Sequence, residues 1–522
     1  MKRPDTDADS EARRLSGDPN RPVGRLAWHQ MVGITFFAVC GGNYGMEDAV
    51  GAAGPRLTMI GLLLLPMFWS LPIGLMTAEL SAMIPEAGGY VVWVHRALGP
   101  FWAHQNALWN LVANAFDNAL YPVMFVDYLK FFQLFRRLNG LRSWLVSVGM
   151  LICVTGLNLL GVDVVASSST LFAVLVISPF AALTIAGAPA LDMHALFAPC
   201  ERPIEWGTFL SVLLWNTSGY DSAGALAAEV RDPGTDFPKA MVVTIALVTI
   251  VYLLPLAVAI SLDHENLDEW TDGHFAQVAQ SHIGEWLSAW IALGGAISAV
   301  GLLNTLLCTS ARVAASSAKL YVLPPCLGEL ERRDGQPRRA TLAMSCLLAV
   351  ACLLEFSELV SISMLFYGAT TFLEFVALIV LRYREEHTYR PYRIPLGNRM
   401  LVVASLPSLG LCVLLIALSD YRSVIFFFFT SVFGTLTYFL AHGCEPRAIG
   451  HMQRPFWHLR AHLGAQFGPS SPSGYGPCPK TERAHNLAGG VGASTNGLSC
   501  ADAEAGEHSR NSSPPRVTHA DT

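Results

Sequence analysis

Apolar blocks about as long as a bilayer is thick are the feature that most restricts what this chain can become. They include IGLLLLPMFWSLPIGLMTA from Ile60, the stretch around SVLLWNTSGY from Ser211, and ALVTIVYLLPLAVAISL from Ala246. A helix of about 20 residues crosses roughly 30 Å of hydrocarbon. The blocks are apolar all round, without the strict alternation over about ten residues that a membrane β-barrel needs, so the helical reading is the consistent one. Composition agrees: 52% of the 522 residues are hydrophobic and 14% charged, with a mean hydropathy of +0.41. The expected fold class is an all-α membrane protein of about twelve spans, with the lipid bilayer as its solvent.

Spans are expected near 28–52, 57–84, 101–134, 143–161, 168–188, 206–228, 237–262, 283–315, 340–355, 358–382, 401–418 and 423–441. Residues 1–27 are polar and charged, and 442–522 are rich in Gly, Ser, Pro and Ala, so both read as disordered tails flanking a transmembrane domain over 28–441. The polar start lacks the pattern of a cleavable signal peptide, which leaves the first span as the insertion signal. The cysteines lie mostly inside apolar segments (Cys153, Cys308, Cys346, Cys352, Cys412) without CxxC spacing, and read as small apolar fillers rather than metal ligands or disulfides.

The net charge of −6 hides an asymmetric distribution. With twelve spans and a cytoplasmic N-terminus, links after even-numbered spans face the cytoplasm. They carry Arg312, Lys319, Arg332, Arg333, Arg338 and Arg339, then Arg382, Arg384, Arg390, Arg393 and Arg399, as the positive-inside rule requires. The opposite links are acidic: Asp192, Glu201 and Glu205, then Asp263, Glu265, Asp268, Glu269 and Asp272, with His264 among them. The link with Lys130, Arg136, Arg137 and Arg142 runs against this bias. Both tails are expected in the cytoplasm, with the plasma membrane as the expected address.

Two spans look interrupted. The first holds Gly41-Gly42-Asn43-Tyr44-Gly45 at mid-membrane, followed by Glu47 and Asp48; each glycine costs a helix about 1 kcal/mol. The sixth holds Trp215-Asn216-Thr217-Ser218-Gly219-Tyr220-Asp221-Ser222-Ala223-Gly224 at the corresponding place five spans later. Paired interruptions of this kind point to a binding site between inverted repeats. Close helix packing through small residues is the competing explanation.

Acidic residues at membrane depth are Glu47, Asp48, Asp117, Asp221 and Glu374, and no lysine or arginine lies deep in a span to pair with them. Such groups are costly in lipid, so they are either protonated or neutralised by a cation. Glu47, Asp48 and Asp221 flank the breaks. Asp117 is open to a structural reading beside Asn118, and Glu374 is expected to pair with a polar group near the inner end of span ten. Trp109, Trp215, Tyr121 and Tyr367 offer ring faces to a cation or serve as packing. No HExxH, GxSxG or metal-ligand cluster argues for an enzyme, and neither a metal nor a cofactor is expected.

The runs GGNYGMEDAVGAAGP, AELSAMIPEAGGY after span two, FDNALYPVMFVDYL, YDSAGALAAEVRDPGTDFPKAM, SARVAASSAKLYVLP and YRPYRIPLG resemble the amino acid, polyamine and organocation transporter superfamily, most closely its eukaryotic polyamine-uptake branch. The resemblance covers about 28–441. It implies an inverted five-plus-five helix repeat with two further spans, a substrate held between the unwound parts of spans one and six, and contributions from spans three, eight and ten. Carried onto this sequence, the substrate site comprises Gly41, Gly42, Asn43, Tyr44, Gly45, Glu47, Asp48, Asp117, Trp215, Asn216, Tyr220, Asp221 and Tyr367, with Glu47, Asp48 and Asp117 as proton-coupling candidates. The expected activity is import of putrescine or spermidine by a proton symporter; the expected partners are a small cationic substrate, protons and lipid, with no nucleic acid. An amino acid permease is the near alternative, and a non-transporting nutrient receptor a distant one. Ser298, Asn304, Thr305 and Ser310 would be the residues to consider for a sodium site.

Overall fold

The computed structural model describes residues 26–442, apart from 131, 133, 134, 136, 201, 265, 266, 272, 320, 321, 332–334 and 355. The expected tails, 1–27 and 442–522, therefore fall almost wholly outside the described residues. So do Arg136, Glu201, Glu265, Asp272, Arg332 and Arg333.

Within the described residues the chain is helical, and the one β contact is an isolated parallel bridge between Leu26 and Val230. Eight helical segments are long and apolar enough to cross a membrane by themselves. The two interrupted spans, Pro100–Lys130 and Arg338–Ala351 bring the segments to the twelve of the fold. The first span runs as Trp28–Val39, an unwound stretch, and a second helix that starts at Glu47. Gly54, at φ 78° ahead of Pro55, kinks the chain and separates it from span two, which continues through a π turn at Pro66–Ser70 to Met83. A proline in a helix leaves a carbonyl unpaired, and a π turn is a local way to absorb the defect.

Burial sorts the spans. In the apolar windows of Glu285–Lys319 and Leu359–Arg384, 83% and 78% of residues are buried; in Asn398–Leu418 and Tyr421–Leu440 only 28% and 17% are. Spans eight and ten are thus surrounded by protein, whereas eleven and twelve present side chains such as Phe428 and Phe429 outward. Exposed apolar side chains on a peripheral helix are stable only against lipid. Inside the bundle, polar side chains join spans three, four, five and eight: Asn118 donates to Ser310 Oγ (3.1 Å), Asn158 to Asn304 Oδ1 (3.2 Å), and Ser169 shares a hydrogen bond with Thr305 (2.9 Å). Such bonds add modestly to packing between small residues.

Toward the ends of spans eight and ten, at the arginine-rich face of the bundle, Arg312 and Arg382 are buried, 5% and 0% exposed, and neither pairs with the acids expected at membrane depth. Each is compensated. Arg382 forms a two-pronged ion pair with Glu79, Nε to Oε1 and Nη2 to Oε2, both 2.5 Å, and Arg390 Nε lies 3.3 Å from the same carboxylate. Arg312 Nε meets Glu229 Oε1 at 2.5 Å, and its Nη1 donates to the Cys308 carbonyl at 3.0 Å. A buried guanidinium persists only when its charge and donors are matched, as those of Arg312 and Arg382 are. The link between spans two and three folds as a short helix, Tyr90–Leu98, beside this network.

Candidate functional site

Both interruptions are present, and side chains from other spans satisfy part of their backbone. At the first, Gly42 takes φ 97°, a left-handed conformation open to glycine. Two freed carbonyls find partners in neighbouring spans, Ser298 Oγ donating to that of Gly41 and Asn216 Nδ2 to that of Gly45 (3.3 Å), while the Tyr44 side chain donates from the break to the Ile291 carbonyl of span eight (2.6 Å). At the second, Trp206–Asn216 ends, Gly219 turns at φ 100°, and the chain resumes over Tyr220–Glu229 as a ten-residue 3₁₀ helix rather than the α-helix the sequence suggested. The segment is closely packed, with Gly224 against the Trp93 ring and Gly89 against the Gly224 carbonyl. Gly219 N donates to Tyr367 OH at 3.0 Å, and Ser70 Oγ to the Thr217 carbonyl at 3.2 Å. Unwound backbone at membrane depth survives only where such partners exist.

Between the breaks lies a cavity walled by spans one, three, six, seven, eight and ten and by Tyr90 of the link helix. Of the residues expected at the site, Gly41, Tyr44, Asp117, Trp215, Asn216, Asp221 and Tyr367 line it; Gly42, Asn43, Gly45, Glu47, Asp48 and Tyr220 do not. Asn43 turns to span seven, donating to the Val251 carbonyl. Glu47 is fully buried and accepts from the Gly273 N–H at 3.3 Å, in the link between spans seven and eight. Glu47 and Asp48 occupy the first turn of a half-helix, where a carboxylate complements the helix dipole. That placement accounts for acids beside the break without bringing them to the cavity.

Asp117 and Asp221 are the two carboxyls that line the cavity, and none of the lining residues is a lysine, arginine or histidine. Asp117 accepts from Trp215 Nε1 (3.2 Å) and Tyr121 OH (3.1 Å), and Asp221 from Tyr367 OH (2.7 Å). Every one of these donors is neutral. The cavity therefore holds hydrogen-bonded carboxyls and an aromatic wall of Tyr44, Trp215 and Tyr367, an arrangement that attracts a cation.

Several lining residues escaped the sequence reading. Asn110 and Asn114 share one face of span three with Asp117 and Tyr121; their i, i+4, i+7, i+11 spacing is a polar stripe that helical periodicity could have revealed. Tyr90, which accepts from Asn114 Nδ2 at 3.2 Å, gave no such signal because its helix lies outside the spans. Trp109 packs against Phe427 and donates to Ser431, away from the cavity. Glu374, expected to pair with a polar group, does not: it is fully buried and neither of its oxygens has a hydrogen-bond partner. Ser298, Asn304, Thr305 and Ser310 are all engaged in hydrogen bonds within the bundle. Asp263, Glu269 and His274, which show no ligand spacing in sequence, come together in the link between spans seven and eight, with His274 Nε2 3.3 Å from Asp263 Oδ2.

A family model described as amino acid permease matches residues 26–442. The chain is 35% identical over 392 residues to the polyamine transporter PUT1 of Oryza sativa subsp. japonica, covering 75% of this chain and 73% of that one. It is 33% identical over 439 residues to a probable polyamine transporter of Arabidopsis thaliana, covering 83% and 86%. It is 31% identical over 401 residues to the polyamine transporter RMV1 of the same plant, covering 75% and 80%. Twelve spans, two of them unwound around a central cavity, and a match over nearly all of that region lead to one conclusion: this chain belongs to the amino acid permease family and is an integral membrane transporter.

Proposed function

We propose that this transporter imports polyamines such as putrescine and spermidine, driven by protons, by alternating access around the cavity, from a plasma membrane with both termini in the cytoplasm. The observation that carries the reading is the pair Asp117 and Asp221 facing a cavity whose lining contains no cationic side chain. A polyamine ammonium supplies the missing charge and donates to carboxylates and ring faces together. The names of the similar plant proteins point the same way.

An amino acid substrate would bring a carboxylate, which in a broken-helix transporter docks on a half-helix N-terminus. Here Asp221 stands in the first turn of the second half of span six, and the Gly219 N–H ahead of it is already bonded to Tyr367. A second carboxylate there meets like charge. Asp117, within reach of solute, is the proposed proton-coupling acid at the cavity; Glu47 and Asp48, off the cavity, fit the half-helix terminus instead.

Reconstitution into liposomes with an imposed pH gradient, measuring labelled putrescine, spermidine, arginine and leucine side by side, tests substrate and coupling together. Gradient-dependent putrescine accumulation, resisted by excess spermidine and indifferent to leucine, is expected. Leucine or arginine uptake without putrescine uptake would instead establish an amino acid permease.

A further inference from the structure

Glu374 is the buried acid that the cavity does not use. It lies on span ten seven residues beyond Tyr367, on the same helix face, fully buried and with both carboxyl oxygens lacking a hydrogen-bond partner. Thr371, one turn nearer the cavity on that face, likewise leaves its buried hydroxyl unpartnered. Beyond Glu374 the same helix reaches Arg382, which is committed to Glu79. Glu374 thus sits between the cavity and the arginine-rich face.

Among the described residues no cation pairs with it; Arg96 of the link helix packed on span ten meets Glu385 instead. The charged group that acts on it is Asp221 from span six, and its own charge would be felt by Tyr90 of the link helix, Tyr367 of its own helix and Cys412 of span eleven. Among the other elements packed on span ten, span two turns Glu79 to Arg382 and Arg390, span three turns Asp117 to Trp215 and Tyr121, and span twelve has Asp420 beside its first turn, accepting from the Arg422 N–H. An ionised carboxylate in this place would face Asp221 with nothing to offset either its charge or its lost hydration. A neutral acid has no such penalty.

We propose that Glu374 is a proton-binding site tied to the conformational cycle: it carries a proton while the inner half of the transporter is closed, and loses it when that half opens to the cytoplasm. The O–H bond breaks as cytoplasmic water reaches the carboxyl, and the proton passes to that water. Closing again requires a proton to return to the same oxygen. The closed form then binds one proton more than the inward-open form, so acid favours closure and alkali favours opening, by linkage. This rests on the alternating-access reading of the proposed function but not on the identity of the substrate.

The test needs no substrate. In proteoliposomes of the full chain, with its other reactive cysteines replaced, a cysteine introduced by Thr371→Cys reports inner opening through its rate of modification by an impermeant thiol reagent trapped inside. Comparison with the Thr371→Cys, Glu374→Gln protein at each internal pH cancels the pH dependence of the thiol chemistry. The rate ratio of the first protein to the second is expected to rise with internal pH, by up to about tenfold per pH unit for one linked proton. A ratio that stays constant overturns the proposal. Glu374→Asp, which keeps an acid in place, is expected to retain the slope, and a flat Asp variant overturns the proposal equally. Putrescine exchange measured on the same preparations separates the two readings: a transporter that fails to carry putrescine but keeps this pH slope refutes the substrate and spares Glu374.

Discussion

A single hydroxyl holds the most informative contact in the protein. Tyr367 OH donates to Asp221 Oδ1 at 2.7 Å and accepts from Gly219 N at 3.0 Å, tying span ten to both the break and the acid of span six. Replacing Asp221 by Asn keeps the shape and removes the charge. Charge-assisted hydrogen bonds contribute about 1.5–3 kcal/mol, so Asp221→Asn is expected to raise the half-saturating putrescine concentration by roughly ten- to a hundredfold. Tyr367→Phe removes the hydroxyl bonded to Asp221 and Gly219 but leaves the carboxyl charge in the cavity, and a smaller, several-fold effect in the same uptake assay is expected. Equal losses for the two would argue against a charge-based site. Glu79 supplies a different residue-scale test. It is 0% exposed and holds both Arg382 and Arg390, so Glu79→Gln strands buried positive charge and is expected to cost about 3–5 kcal/mol. A thermal melt of purified protein in detergent measures it; an unchanged midpoint would mean that the arginines find other partners.

At the scale of elements, the broken spans owe their form to glycines with no substitute. Gly219 has φ 100°, and a Cβ there would strike the Ala38 carbonyl oxygen of the partner break. Left-handed backbone alone costs an alanine about 1–2 kcal/mol, and the collision adds to it. Gly219→Ala is therefore expected to push the two breaks apart and abolish uptake while leaving some folded protein, checked by gel filtration beside transport. Alanine at Gly207, which meets nothing within 4 Å, is the control expected to transport normally. The same elements show what periodicity can and cannot reveal. Helices and their breaks were legible because apolar length and clustered glycine act locally. The 3₁₀ winding of Tyr220–Glu229 was not, and its closest packing partners, Trp93 and Gly89, come from a segment more than a hundred residues away in sequence.

For the whole molecule, the proposed orientation places the arginine-rich face in the cytoplasm. That face carries the Glu79–Arg382–Arg390 cluster and the Arg312–Glu229 pair; the far end is tied by Arg202, which meets Asp268 and donates to the Gly51 carbonyl. Cys326, exposed in the link between spans eight and nine, should then react with an impermeant maleimide only after the inner side is opened. A cysteine at Asp268, 86% exposed in the opposite link, should react from outside. The experiment requires Cys153, Cys200 and Cys346, and Cys444, Cys478 and Cys500 of the C-terminal region, to be replaced by serine. The reverse pattern would invert the topology and, with it, the side from which Glu374 meets water.

By itself the sequence determined that the chain spans a membrane about twelve times, that spans one and six break, and that acids lie at membrane depth without cations beside them. These are properties of short stretches: hydrocarbon excludes unpaired backbone and charge wherever they occur along the chain. Which acids share a cavity was decided only by tertiary packing. Asp48 and Asp221 both stand next to a break, yet Asp221 turns inward because Tyr367 reaches it from span ten, while neighbouring Glu47 bonds to Gly273 in the link beyond span seven. Arg382 is matched and Glu374 is not for the same reason, since Glu79 comes from span two to meet the one and no donor comes to meet the other. A side chain's partner across a helix bundle is set by how the helices cross, and that information resides in the contacts between spans rather than in any one of them.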